Sequence, residues 1–164
     1  MKIYAELSGI GFTADAYHIT EPAPGGEGAV RCMTNAIADA GLSPADISLV
    51  NAHGTSTYYN DKNETAAIKT VFGEYASTLK VNSTKSMVGH MLGAAGAVES
   101  IATVLMILND KVHPTINLST PDPDCDLDYV PGGTIDHTVD VVVTNTFGFG
   151  GHNTSLVYQK YREG

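Results

Sequence analysis

Basic residues are scarce in this sequence, and they do not cluster into a run. Nine Lys and Arg residues stand against 18 Asp and Glu residues, which gives a formal net charge of −9 at pH 7. Proteins that bind nucleic acid depend on clustered Lys and Arg to neutralise phosphates. The charge balance therefore argues against nucleic acid as a partner.

An apolar segment long enough for a confident membrane span is missing as well. Glu6 interrupts the apolar residues near the N-terminus, so we see no signal core there. The most apolar stretch, 91–108, carries Glu99 near its middle and is rich in small residues. We therefore expect a soluble cytoplasmic protein with no membrane partner.

Only two cysteines are present, and neither has the surroundings of a nucleophile. Cys32 falls inside a predicted helix, and Cys125 lies in the acidic run 122–128, whose carboxylates would raise its pKa. The two cysteines could pair, but no other feature suggests a secreted protein, so we expect both thiols to be reduced. Ser83 and Ser86 lack the Gly-x-Ser-x-Gly turn of a serine nucleophile.

Metal-binding motifs are absent from the sequence too. There is no His-Glu-x-x-His and no Cys-x-x-Cys, and no two of the six histidines stand at helical ligand spacing. These histidines are His18, His53, His90, His113, His137 and His152. A metal centre is therefore a weak explanation for them.

What the sequence does contain is an α/β pattern with 43% hydrophobic residues, enough for one domain spanning 1–164. Strands alternate with helices, which favours an α/β sheet. The predicted strands are 3–12, 47–50, 79–82, 139–144 and 155–161, and the predicted helices are 27–40, 61–72 (capped by Asn60 or Asp61) and 92–108.

Two histidines lie in turns of small and hydroxyl residues that follow predicted strands. His53 comes after the strand at 47–50, and His90 comes after the strand at 79–82 and just before a helix. Ligands gather at the carboxyl ends of strands in α/β sheets. A helix N-terminus disfavours imidazolium, so His90 could be a neutral donor to an oxyanion. One such histidine could equally be structural, but two in succession favour a functional site.

Lys85 lies in the same turn as His90, and its role depends on its partner. A solvated surface lysine is the simpler interpretation. However, Glu99 is a carboxylate in an otherwise apolar helix that begins nearby, and a buried glutamate needs a partner. Lys85 is a candidate for that partner.

Residues 144–153 are glycine-rich and follow an apolar strand, so they read as a loop. A tight turn accounts for the glycines but not for Phe147 and Phe149 among them. A mobile loop that carries aromatic rings could wall or gate an apolar pocket. The glycine spacing fits neither phosphate-binding motif.

Several of these segments resemble the C-terminal half of the β-ketoacyl-acyl-carrier-protein synthases, the type II elongating enzymes in particular. They are Asn51-Ala-His-Gly-Thr-Ser-Thr57, Asn82-Ser-Thr-Lys-Ser-Met-Val-Gly-His90 with Leu92-Gly-Ala-Ala-Gly-Ala-Val-Glu99, and Asn145-Thr-Phe-Gly-Phe-Gly-Gly151. The segments 15–20 and 121–131 fit the same pattern, and the resemblance covers nearly the whole chain. Thr146 stands where this family commonly has Ser.

The resemblance implies a thiolase-like fold, in which a mixed sheet flanked by helices forms half of a five-layer αβαβα arrangement. It implies decarboxylative Claisen condensation of an acyl-enzyme with malonyl-acyl-carrier protein, in a homodimer. No cofactor is implied beyond the phosphopantetheine arm that the substrate carries. The implied site residues are catalytic His53, His90 and Lys85, supporting Glu99, Thr20, Thr55 and Thr57 on the pantetheine arm, and Phe147 and Phe149 at the acyl pocket.

The nucleophilic cysteine of the family belongs to the N-terminal half, which this sequence does not contain. We therefore expect a truncated polypeptide that does not condense acyl groups by itself and that leaves apolar surface exposed. Two alternatives remain open. One is half of a polyketide-synthase ketosynthase, and the other is a non-catalytic module that binds acyl-pantetheine or an inhibitor.

Overall fold

The computed structural model describes residues 2–163, so the outer bounds of the predicted domain, Met1 and Gly164, lie outside the described residues. Seven strands and four α-helices make up these residues. The strands are β1 (Glu6–Ala14), β2 (Leu49–Asn51), β3 (Lys80–Asn82), β4 (Lys111–Val112), β5 (Ile135–Asp136), β6 (Val141–Gly148) and β7 (His152–Gln159). The helices are α1 (Glu27–Asp39), α2 (Tyr58–Phe72), α3 (Lys85–Val88) and α4 (Ala95–Asn109), with short 3₁₀ turns at Pro24–Gly26, Pro44–Asp46, Gly73–Ser77 and Leu92–Ala94.

Five of the strands form one mixed sheet in the order β1-β7-β6-β2-β3. The strands β6, β2 and β3 are parallel to one another, while β7 is antiparallel to both β6 and β1. All three residues of β2 are buried, as expected for a strand covered on both faces. The predicted α/β class, a mixed sheet flanked by helices, is confirmed.

Helices cover both faces of the sheet, and alternate strand residues point to the two sides. Val50 and Val143 pack in a core with α1 and α2, whereas the neighbouring Leu49 and Val142 pack in a second core with Met106 of α4. This alternation follows from the two-residue repeat of a strand. The carboxyl ends of β2 and β3 therefore emerge between two helical layers.

Close contact between β1 and α1 depends on two glycines of the strand. A Cβ atom on Gly9 would overlap the carbonyl oxygen of Ala36, and one on Gly11 would overlap that of Cys32. Because glycine has no Cβ, the helix backbone can lie directly on the strand.

The helix predicted at 61–72 begins earlier than expected, at Tyr58. Thr57 occupies the cap position, so the prediction that Asn60 or Asp61 caps the helix is wrong. Asp61 lies inside the first turn, and its carboxylate accepts the backbone N–H of Ser56 at 3.2 Å. Asp61 therefore lies within the helix and binds the backbone of the segment that precedes the cap residue Thr57.

The predicted loop at 144–153 is mostly strand. β6 continues to Gly148, and β7 begins at His152, so only residues 149–151 form the turn of a hairpin. The pairing of Phe147 with Asn153 and of Gly148 with His152 extends the ladder through the glycine-rich segment. Pairing with a neighbouring strand overrides the local loop composition, because each pair satisfies backbone groups that a loop would leave open.

Helix α4 is buried on one side only, in contrast to the buried helix that its composition predicts. Ile101, Leu105 and Leu108 are exposed, while Glu99 and Ile107 are buried. By length and composition alone, the segment Leu92–Asn109 is long and apolar enough to cross a membrane. This is weak evidence for a membrane span, because the core helix of a soluble protein passes the same test. An apolar face of α4 is thus left uncovered by residues 2–163.

Candidate active site

The two histidine turns lie side by side because they follow neighbouring parallel strands. Asn51 at the end of β2 pairs with Asn82 at the end of β3. His53 and His90 extend beyond this edge, and their ring centroids are 5.5 Å apart with the ring planes at 87°. The structure therefore brings together the two imidazoles that the sequence singles out.

His53 is held as a neutral imidazole. The ring is buried, and the Lys85 ammonium donates to Nδ1 over 3.2 Å. Burial, together with the smaller effect of the positive charges of Lys85 and His90, lowers the pKa of His53 to about 3. Since Nδ1 accepts the lysine proton, the ring hydrogen is on Nε2, which is free to donate.

Acid should destabilise the fold through His53. Because the folded-state pKa of about 3 lies below the ordinary 6.5, the unfolded chain binds a proton between these values and the folded chain does not. Stability is thus lost as the pH falls below 6.5. We expect His53 to account for a loss of about 2 kcal/mol in the free energy of unfolding between pH 8 and pH 5, measured by urea denaturation.

The control for this loss is a pair of glutamine variants. His53→Gln removes the buried titrating ring, so its loss between pH 8 and pH 5 should be smaller by the same amount. His152→Gln replaces an exposed histidine and should keep the full loss. Equal losses in both variants would contradict a buried neutral His53.

His90 is exposed, and its tautomer is set by the start of the following helix. The backbone N–H of Leu92 donates to His90 Nδ1 over 3.1 Å. An accepting Nδ1 leaves the proton on Nε2, as at His53. The site therefore presents two imidazole Nε2–H donors, one buried and one open to solvent, which suits the stabilisation of an oxyanion.

Lys85 and Glu99 form a buried ion pair, so the interpretation of Lys85 as a surface lysine is wrong. The two side chains are only 5% and 2% exposed. Burial raises the pKa of Glu99, and the hydrogen bond and charge of Lys85 oppose that rise. Oε2 of Glu99 has no hydrogen-bond partner among residues 2–163, so Lys85 is its main compensation.

Glu64 is a site residue that the sequence reasoning missed. Its buried carboxylate on α2 accepts the backbone N–H groups of His53 and Gly54, each at 2.9 Å, and the side-chain amides of Asn60 and Asn145. Burial raises the pKa of Glu64, and these donors oppose the rise. One sequence signal could have identified Glu64: it is a glutamate on the apolar face of a predicted helix, one turn before Ala67 and Ile68.

A groove of about 1250 Å³ opens beside the two turns. Thr55, Thr57, Lys85 and His90 are among the residues that line it, and residues 115–131 supply much of the rest of the lining. The hydroxyl oxygens of Thr55 and Thr57 lie 2.9 Å apart. Among the described residues, the lining of this groove does not include Thr20, whose exposed backbone N–H donates to His18.

The two phenylalanines occupy different environments. Phe147 is half-buried on β6, and its ring centroid lies 5.6 Å from that of His53. Phe149 lies at the hairpin turn and is 79% exposed. The structure thus places Phe147 at the site, while the gating role of Phe149 stays a prediction.

The two cysteines are free thiols within residues 2–163, as expected. Cys32 is buried in α1 and donates to the carbonyl oxygen of Gly11, and burial raises its pKa. Cys125 lines the groove, but burial raises its pKa, and the nearby carboxylates, Asp122 first, add to the rise. Burial is therefore a larger cause than the acidic run, and both thiols stay protonated.

The comparisons with known proteins agree on one family. Residues 4–119 match the family described as "Beta-ketoacyl synthase, C-terminal domain". The 3-oxoacyl-[acyl-carrier-protein] synthase 2 of Synechocystis sp. is 55% identical over 161 residues, a match that covers 98% of this chain and 39% of the relative. The protein of the same name from Staphylococcus aureus strain COL is 55% identical over 160 residues, with the same coverage. The chain therefore spans about two fifths of the length of these relatives.

Solved structures share the fold. A type II polyketide-synthase ketosynthase, in complex with its acyl-carrier protein and bound to the hexaketide, has a TM-score of 0.96 and 44% identity. The match includes 98% of this chain and 40% of the ketosynthase chain. A beta-ketoacyl synthase from Burkholderia phymatum STM815 has a TM-score of 0.92 and 40% identity. That match includes 98% of this chain and 38% of the Burkholderia protein chain. The mixed sheet flanked by helices is thus the thiolase-like fold of ketosynthases, and the chain belongs to the beta-ketoacyl synthase family as its C-terminal domain.

Proposed function

We propose that the complete protein is a β-ketoacyl-acyl-carrier-protein synthase of fatty-acid elongation, and that this chain supplies the two histidines and the lysine. The observation that carries the proposal is the pair of imidazoles 5.5 Å apart, both of which keep the proton on Nε2. Loss of CO₂ from a malonyl thioester leaves an enolate, and neutral Nε2–H donors stabilise its oxygen without a metal. The enolate carbon then attacks the acyl-enzyme carbonyl and displaces the thiolate of the nucleophile.

Lys85 contributes by holding His53 in this state. Its ammonium fixes the His53 tautomer through Nδ1 and adds to the burial that lowers the imidazole pKa, so that the ring donates and does not ionise. The same positive charge favours the enolate, on whose oxygen the negative charge of the malonyl carboxylate resides after CO₂ has left. Glu99 pairs with the Lys85 ammonium and holds it in place within the protein interior.

The groove fits a long flexible arm. We assign Thr55 and Thr57, with paired hydroxyl groups on its wall, to the pantetheine arm of the substrate, and no resident cofactor is part of the proposal. Thr20 would reach the arm from outside the groove, and Phe149 would close over the acyl chain from its exposed hairpin.

The rest of the complete protein has to provide the nucleophile. Neither Cys32 nor Cys125 is poised as a thiolate. An N-terminal half with a reactive cysteine would supply it, and the exposed apolar face of α4 is a surface on which that half could pack. We propose residues 1–164 as one domain of this assembly, a cytoplasmic homodimer that takes its substrates from acyl carrier protein.

A polyketide-synthase ketosynthase is the second candidate. The observation in its favour is the TM-score of 0.96 to a ketosynthase that is bound to an acyl-carrier protein and a hexaketide. The 55% identity to 3-oxoacyl-[acyl-carrier-protein] synthase 2 favours fatty-acid elongation instead. The products separate the two candidates, since only a polyketide ketosynthase would extend a chain that keeps its β-keto groups.

The assay that tests the proposal compares the complete protein with this chain alone. The complete protein should release CO₂ from malonyl-acyl-carrier protein and form a β-ketoacyl product when an acyl donor is present. This chain alone should form none, because it lacks a poised nucleophile. Turnover by the isolated chain would overturn the assignment of the nucleophile, and no product from the complete protein would overturn the function itself.

A further inference from the structure

The segment that follows β4 crosses the turn that carries Lys85 and binds it at successive positions. The backbone N–H of Ser83 donates to Thr115 Oγ1 over 3.2 Å, and that of Ile116 donates to Ser86 Oγ over 3.1 Å. Between them, Thr84 Oγ1 lies 3.0 Å from Nε2 of His113. The Lys85 turn is therefore clamped by residues 113–116.

His113 has a defined tautomer in this arrangement. Its Nδ1 lies 3.0 Å from the carbonyl oxygen of Pro114, which can only accept, so Nδ1 carries the ring proton. In the neutral ring Nε2 is then bare, and at 3.0 Å it is a nearer acceptor for the single Thr84 hydroxyl proton than Asn51 Oδ1 at 3.2 Å. The side-chain amide of Asn82 donates to the His113 carbonyl over 3.0 Å, which ties this residue to the end of β3.

Thr84 is also the point at which the two histidine turns meet. Its backbone N–H and its hydroxyl lie 3.4 and 3.2 Å from Oδ1 of Asn51, two residues before His53. The Asn51 amide is anchored in turn on Thr103 and on the backbone of Glu99. Thr84 itself immediately precedes Lys85, so a shift of Thr84 moves Lys85 relative to His53.

We propose that His113 is a positioning residue: its bare Nε2 takes the Thr84 hydroxyl proton and so sets the distance between Lys85 and His53. Thr84 is buried, and its hydroxyl needs an acceptor. Without His113 the hydroxyl keeps only Asn51 Oδ1, already 3.2 Å away, and residues 113–116 lose their side-chain hold on Thr84. The Lys85–His53 contact of 3.2 Å is near the limit of a hydrogen bond, so it tolerates little displacement.

The kinetic test uses matched variants of the complete synthase, and its reading rests on the proposed function. His113→Leu should lower kcat by about 10-fold or more with little change in KM, because the site is displaced while the substrate groove is kept. His113→Gln, whose Oε1 can take the place of Nε2, should restore kcat to within about threefold. Thr84→Val should match His113→Leu, and the double variant should be no slower than either one. Additive losses, or no rescue by glutamine, would overturn the proposal.

A second measurement on this chain is independent of catalysis. Nitrogen-15 spectra of the histidine side chains should show His113 with a protonated Nδ1 and a bare Nε2, and Thr84→Val should shift the Nε2 signal. The opposite tautomer, or no shift, would overturn the proposal whatever the activity of the complete protein. If this tautomer is observed and the complete protein does not condense, the failure belongs to the proposed function alone.

Discussion

Under the proposed function, replacing His53 with alanine in the complete protein is expected to lower kcat for condensation by about two to three orders of magnitude. In the proposed mechanism the substitution removes one of two Nε2–H donors to the developing enolate, and it removes the Nδ1 atom that accepts from the Lys85 ammonium over 3.2 Å. His90→Ala removes the other donor and should have an effect of the same order. The measurement is CO₂ release from malonyl-acyl-carrier protein together with formation of the β-ketoacyl product.

The control is a histidine outside the site. His152 is exposed at the start of β7. The His152→Ala variant should therefore catalyse condensation with the kcat of the unchanged protein. In the proposed mechanism His53 and His90 act as a unit, so kcat of the double variant should fall by much less than the two single losses multiplied together. If condensation survives in the double variant, the chain is not a catalytic half, and the acyl-pantetheine-binding module becomes the better hypothesis.

The sequence predicts the two histidine turns because their positions follow from strand order. Parallel strands β2 and β3 are neighbours, and short polar turns after such strands meet at one edge of the sheet. The pairing of Lys85 with Glu99 was also predictable, as a carboxylate in an apolar helix needs a cation. Both inferences use only local pattern and the cost of burying charge.

The residues that the sequence reasoning missed are those whose role depends on packing between distant elements. Glu64 lies 11 residues beyond His53, and it binds the His53 turn only because α2 folds back over it. The continuation of β6 to Gly148 depends in the same way on β7, which pairs with a segment whose glycines suggest a loop. The composition of α4 predicts a buried helix, but it cannot tell which partner covers each face.

The buried ion pair gives the largest expected effect on stability. Glu99→Ala leaves the Lys85 ammonium without its carboxylate in a site where both side chains are nearly inaccessible. Removing one partner of such a pair typically costs about 3 to 5 kcal/mol, so we expect a loss of that order in the free energy of unfolding, measured by urea denaturation of this chain at pH 8. Asp136→Ala breaks a pair whose side chains are 54% and 87% exposed, and it should leave stability nearly unchanged.

The pH dependence of the Glu99→Ala variant shows whether the buried charge is the cause. An unpaired buried lysine has a pKa below its ordinary value, so the folded variant sheds a proton that the unfolded chain keeps. Its stability should therefore rise relative to the unchanged protein as the pH increases from 8 toward 10. Replacing both residues, as Lys85→Met with Glu99→Leu, removes both charges and should recover most of the loss. A loss of stability that does not change with pH and persists in the double variant would instead indicate a packing defect. Lys85 would then lose its assignment as the cation that holds His53 neutral.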